Sequence, residues 1–224
     1  MDKDLLELEN KLSLYTLEDE LKLLCINQNQ EFNIFDIMHI NQEVQFSYIL
    51  SFLLDQYESH GLKDSFLITF LDKINEKRNE FGFDDLKSSK EVEIKLEETA
   101  LNKNKTEGHK KRRRTDISIN NSDKWKIIIE NKIHSSAISK EQLEESEKQF
   151  RNPKRDFCFV FITPSSNLKD NIKMATEKCG IIHFTWSELV DLLFNFKYNH
   201  SLDSKMDYIL SDLIYHIQNN IIGG

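Results

Sequence analysis

The most constraining stretch of the chain runs from Arg112 to Lys132, RRRTDISINNSDKWKIIIENK. Two segments of strand character flank the polar Asn120-Asn121-Ser122-Asp123, a pattern that predicts a β-hairpin. Pairing about that turn sets Ile117 against Ile129, Ser118 against Ile128 and Asp116 against Glu130. Side chains alternate along a strand, so Glu130 and Lys132 share one face while Asn131 points to the other. One face then carries two carboxylates and an amine, with opposed Cβ atoms about 5 Å apart. Like charges so placed are destabilising unless a cation lies between them, and Lys132 alone compensates two carboxylates only in part. The economical reading is a divalent metal site. Asp116, Glu130 and the Asn131 carbonyl supply oxygens of the kind Mg²⁺ prefers. A lysine beside such an ion positions or deprotonates water, or neutralises charge on a phosphorane-like transition state. The chemistry indicated is metal-assisted phosphodiester hydrolysis.

The segments around the hairpin set the fold class. Residues 4–28 predict a helix with a narrow stripe of Leu5, Leu8, Leu12, Leu17, Leu21 and Leu24, which reads as a packing extension over residues 1–30. Asn41 is placed to cap a helix running to about Tyr57, apolar nearly all round and therefore buried. Within it Glu43, Ser47 and Ser51 recur at helical spacing as one polar line. A buried polar line needs partners, and the metal-binding face is one candidate; a first-turn Glu43 favoured by the helix dipole is the other. His60-Gly61 breaks the chain, and a helix from Asp64 buries Phe66, Leu67, Phe70, Leu71 and Ile74. Val92, Ile94 and Leu96 then alternate with Glu93, Lys95 and Glu97 as a half-exposed strand.

Beyond the hairpin, Ser139 and Gln142 match a capping box, and FCFVFIT has the continuous apolar character of a strand covered on both faces. Helix 168–179 ends at Gly180. Ile181-Ile182-His183-Phe184 makes a short strand, and Thr185 with Glu188 opens a helix to about Phe196. Met206, Ile209, Leu210, Leu213, Ile214 and Ile217 mark the last helix. The order predicts an α/β domain over residues 31–224, with helices flanking a mixed central sheet.

Net charge of −8 rules out a uniformly basic coat for nucleic acid, but not a local basic cleft. The run Lys110, Lys111, Arg112, Arg113 and Arg114 is the one basic approach to the hairpin. It reads either as a solvated loop or as a phosphate-binding element made useful by the adjacent acids. The three cysteines lack metal-ligand spacing and read as reduced thiols. The acidic start MDKDLLELEN is no signal peptide, and no apolar run is long enough to span a membrane, so a cytoplasmic protein without membrane contact is expected. His134 lies two residues beyond Lys132 and reads as a surface histidine. No P-loop, GxGxxG, HExxH, GxSxG or paired CxxC motif is present.

Asp116 followed by Glu130-Asn131-Lys132 resembles the D…(D/E)-x-K signature of the PD-(D/E)XK nuclease superfamily. The likeness extends over roughly residues 30–195: the helix block FNIFDIMHINQEVQFSYILSFLLDQY, the hairpin RRTDISI…IIIENKI, the helix EQLEES, the strand FVFITP and the helix TWSELVDLL. It points to the branch in which an N-terminal helix block precedes a D…ENK hairpin. The resemblance implies a restriction-endonuclease-like core, metal binding by Asp116 and Glu130, and Lys132 as the catalytic lysine. It also assigns Glu43 as an acid from the first core helix that joins the metal ligands, and Gln142 as a helix glutamine facing the site. Three positions depart from the pattern: Thr115 stands where proline is usual, Phe46-Ser47 where histidine-serine is usual, and Ser146 where an aromatic is expected. The expected activity is a Mg²⁺- or Mn²⁺-dependent endodeoxyribonuclease, in a setting of restriction or anti-phage defence. Cutting both strands calls for a homodimer or for a partner protein in a larger complex. The alternative is a nuclease-fold module that binds nucleic acid or a protein without cutting.

Overall fold

A computed structural model describes residues 33–79, 86, 92–99, 113–122, 124–134, 139–151 and 155–223. The helical extension expected over residues 1–30 lies outside them, as does Cys25. The first helices are α1 (Ile34–Ile37), α2 (Glu43–Leu54) and α3 (Ser65–Asn79). Strands β1 (Val92–Leu96), β2 (Ile117–Asn121) and β3 (Trp125–Asn131) follow. Then come α4 (Lys140–Phe150), β4 (Asp156–Thr163), α5 (Asp170–Cys179), β5 (Ile182–Thr185), α6 (Trp186–Asn199) and α7 (Ser204–Ile217), closed by a π turn over Gln218–Ile222.

The five strands form one mixed sheet in the order β1-β2-β3-β4-β5. The first two pairings are antiparallel and the last two parallel. Parallel neighbours need a crossover, and α4 and α5 provide it. The hairpin register is the expected one, with Ile117 opposite Ile129, Ser118 opposite Ile128 and Asn121 opposite Trp125. β3 is therefore central, and every residue from Trp125 to Asn131 is buried.

Alternation along the strands divides the core in two. Ile117, Ile119, Ile127, Ile129, Val160 and Ile162 face a layer built from α2, α3, α6 and α7. Ile128, Phe157, Phe159 and Phe161 face α4 and α5 through Leu143, Phe150 and Ile172. The flanking helices hold the faces their periodicity assigns. In α3 the buried residues include Phe66, Leu67, Phe70, Leu71 and Ile74, and in α7 they include Met206, Leu210, Leu213, Ile214 and Ile217.

Differences from expectation lie at element ends. The N-cap of α2 is Gln42, not Asn41, because the Gln45 carboxamide oxygen accepts from both the Asn41 and Gln42 amides and fixes the turn one residue later. That helix stops at Leu54. Helix α6 continues three residues past Phe196 to Asn199. Gly180, at φ 62°, takes the left-handed conformation that ends α5 and favours glycine.

Candidate active site

The apolar run of β3 gives way at its C-terminal end to Glu130, Asn131 and Lys132, which are 5 %, 0 % and 8 % exposed. One step outward from the Ile117–Ile129 pair, Asp116 comes level with Glu130. Asp116 is held from two sides. The Asn131 amide donates to its Oδ2 at 2.7 Å, and its own carbonyl accepts from the Glu97 amide at 2.9 Å, just past the end of β1. The buried Thr115 hydroxyl donates to the Ile129 carbonyl at 2.9 Å, with the Ile117 carbonyl also in reach at 3.1 Å. A threonine before the aspartate thus staples the entry of β2 to β3. Lys132 is fixed through its main chain. Its amide donates to the Ile162 carbonyl at 2.9 Å, and its carbonyl accepts from the Trp186 indole at 3.0 Å.

The charges converge on the Lys132 Nζ, which lies 3.0 Å from Glu130 Oε1 and 3.1 Å from Glu43 Oε2. Gln142 Nε2 donates to Glu130 Oε1 at 2.7 Å. Burial, reinforced by the neighbouring Asp116 carboxylate, pushes the Glu130 carboxyl from its usual 4.5 up to about 7, against the pull of Lys132. Asp116 is also raised, by burial first, although the Asn131 amide and Lys132 favour its charged form. Burial disfavours the Lys132 ammonium, but Glu130, Asp116 and Glu43 outweigh it and raise its pKa above the ordinary lysine value. Two carboxylates thus contact one ammonium, with the Asp116 charge also acting on it, and the most buried of the three is Glu130.

The sequence model of the PD-(D/E)XK nuclease superfamily matches residues 32–210, a span that contains all of these residues. The chain belongs to the PD-(D/E)XK nuclease superfamily. No curated protein and no solved structure matches it.

Within this superfamily fold, Asp116, Glu130, Lys132, Glu43 and Gln142 are brought together. Gln142 serves two purposes: its backbone amide takes the Ser139 hydroxyl cap, and its side chain turns to Glu130. Asn131 sends its side chain away from the carboxylate pair toward α2, so only its main-chain carbonyl is left as a candidate ligand on the Glu130 side. The polar line of α2 divides: the Glu43 carboxylate meets Lys132, Ser47 meets Asn131, and the Ser51 hydroxyl donates to the Tyr48 carbonyl of its own helix. Of the basic run, Lys110, Lys111 and Arg112 lie outside the described residues. Arg113 pairs with Glu145 and Arg114 with Glu97. His134 is exposed.

Two contributors were not singled out for the site from sequence. Trp186 stands in the sequence only as the first residue of a capped helix, yet a buried indole must find an acceptor, and Lys132 provides it. Thr115 departs from the usual proline, and nothing local in the sequence shows that its hydroxyl reaches β3.

The donor set fits a divalent cation. Among the described residues no group of three or more His, Cys, Asp or Glu side chains is arranged to hold a metal. An ion would therefore rest on Asp116 and Glu130, with the Asn131 carbonyl, water and substrate oxygens completing its shell. Few protein carboxylates and several waters are what Mg²⁺ takes in phosphate chemistry. Burial raises both carboxyls, and Asp116 adds to the rise of Glu130; a cation held by the two would favour their charged forms. Nucleases of this superfamily generally use divalent metals. Among the described residues, no helix is long and apolar enough to cross a membrane.

Proposed function

We propose that the protein is a Mg²⁺- or Mn²⁺-dependent endodeoxyribonuclease of the branch in which a helix block precedes the D…ENK hairpin. The observation that carries this reading is the convergence of Asp116, Glu130 and Lys132 at the end of β3, with the Glu130 carboxyl pushed up to about 7. Asp116 and Glu130 would hold the cation, which when bound polarises a phosphoryl oxygen and activates water. Lys132, held between Glu130 and Glu43, serves as a positive charge facing the phosphorane-like transition state. Glu43 holds the ammonium from the side opposite Glu130, and Gln142 orients the Glu130 carboxylate. The basic run Lys110–Arg114 enters Asp116 directly along the chain and supplies cations for phosphates.

DNA as the polymer, action as a homodimer or with a partner, and a setting of restriction or anti-phage defence belong to the same proposal. The test is incubation of the pure protein with circular and linear duplex, single-stranded DNA and RNA, in Mg²⁺, in Mn²⁺ and in EDTA. Cleavage of DNA with either ion, absent in EDTA and abolished by Asp116→Ala, Glu130→Ala or Lys132→Ala in folded protein, is expected. Full activity in any of the three variants would sink the site assignment.

One observation favours a second reading, a nuclease-fold module that binds without cutting: Lys132 already bridges Glu130 and Glu43. Calorimetry with Mn²⁺ separates the two. A retired site gives no binding heat that depends on Asp116.

A further inference from the structure

We propose that the side chain of Asn131, the middle residue of the Glu130-Asn131-Lys132 run, is a positioning residue that clamps the first turn of α2 and so delivers Glu43 to Lys132. The inference rests on the proposed reading of Glu43 and Lys132 as parts of one site. Strand alternation sends Asn131 to the α2 layer, where it is 0 % exposed. Its Nδ2 donates to the Glu43 carbonyl and to the Ser47 Oγ, each at 3.2 Å. The Ser47 hydroxyl spends its own proton on that same Glu43 carbonyl at 2.9 Å. Only lone pairs therefore face Asn131, and the carboxamide must present its nitrogen.

The cost of this arrangement shows that the two donor contacts matter. Asn131 Oδ1 is buried without a hydrogen-bond partner, which is unfavourable for such a group. An apolar side chain would fill the same space without that penalty, but it could not bind the helix turn.

The main chain of Asn131 completes the device. Its amide donates to Asp116 Oδ2 at 2.7 Å, and its chain neighbours are Glu130 and Lys132. One residue thereby ties the strand that carries Asp116 and the helix that carries Glu43 to the strand end that carries the other two charges. The 3.1 Å contact between Glu43 Oε2 and Lys132 Nζ depends on where α2 sits along its axis, and the clamp sets that position. Misplacement of a reacting group by about 1 Å is enough to cost up to about a hundredfold in rate.

The test compares Asn131→Ala, Ser47→Ala, Glu43→Ala and the Asn131→Ala/Glu43→Ala double variant of the full chain. Cleavage of whichever polymer the wild type cuts is measured beside amide hydrogen exchange of α2. Asn131→Ala is expected to lower the maximal rate at least tenfold with KM little changed. Exchange should quicken in the first two turns of α2 and remain as in wild type in α3. Ser47→Ala removes one of the two acceptors without opening a large cavity, and it should show a smaller change of both kinds. The double variant should be no slower than Glu43→Ala, because Asn131 acts through Glu43. Rate losses that multiply in the double variant, or α2 exchange that stays at the wild-type level in Asn131→Ala, would overturn the proposal. If the wild type cuts nothing with any metal, the nuclease reading fails, and the exchange measurement alone decides the clamp.

Discussion

Replacing Glu130 by glutamine should stabilise the metal-free protein at neutral pH and leave it unchanged in acid. The Glu130 carboxyl is raised from 4.5 to about 7 by burial and by Asp116. In acid below 4.5 the group is protonated whether the chain is folded or not, and its contribution to stability is fully present. That contribution is lost as pH rises through about 7, because the unfolded chain releases the proton readily while the buried site resists charge. At about 1.4 kcal/mol for each pKa unit, the loss is about 3 kcal/mol. Glu130→Gln keeps the shape and the neutral state at every pH. It should match the wild type near pH 4.5 and exceed it by about 3 kcal/mol at pH 8. Urea unfolding in EDTA, followed by the fluorescence of the buried Trp125 and Trp186, measures both proteins across this range. A stability difference that stays flat with pH would refute the reasoning, since it would mean that Glu130 is charged at no cost. Mg²⁺ at pH 8 should narrow the gap, because the ion binds only the folded wild type.

Three further outcomes are expected. Thr115→Val removes the hydroxyl that joins the entry of β2 to the Ile129 carbonyl. It should cost about 1–2 kcal/mol in urea unfolding, and an unchanged midpoint would rule out the staple. Lys126→Met breaks the part-buried contact to Glu98 at 2.6 Å and, because burial lowers the Lys126 pKa and offsets part of the pairing, should cost no more than about 2 kcal/mol at neutral pH. Burial pushes the Glu98 carboxyl up, but hydrogen bonds from Lys126 and Ser118 bring it below its usual 4.5. The contribution of this pair is thus present above 4.5 and is lost as pH falls through the lowered value, so the deficit of the variant should shrink in strong acid. Serine at Lys110–Arg114 should weaken nucleic-acid binding evenly across sequences and flatten its salt dependence by up to about one unit of slope per lost phosphate contact, measured by fluorescence anisotropy. An unchanged slope would assign the run to the solvated loop. Arg113 and Arg114 are already paired with Glu145 and Glu97, so most of the effect should come from the rest of the run.

Much of the fold was legible because one-dimensional rules govern it. The hairpin register follows from the position of the polar turn and the two-residue period of strands, so Ile117 meets Ile129 as read from sequence. The buried faces of α3 and α7 follow from helical period. The start of α2 was less legible, because the side chain that fixes it is Gln45, and a glutamine at that position carries no sign that it will turn back to the two preceding amides.

For the site, the sequence alone determined the pairing of Asp116 with Glu130, and Lys132 on the Glu130 face. Those relations are local to one hairpin, and they survive any packing of the rest of the chain. It offered Glu43 as a candidate and left it between a ligand role and a helix-end role. Tertiary structure decided that Glu43 reaches Lys132, that Gln142 turns to Glu130, that Trp186 holds the Lys132 carbonyl and that Asn131 grips α2. Each of these joins groups tens of residues apart or on different elements. No periodicity encodes them, because they depend on how far each helix slides over the sheet before its apolar face is buried.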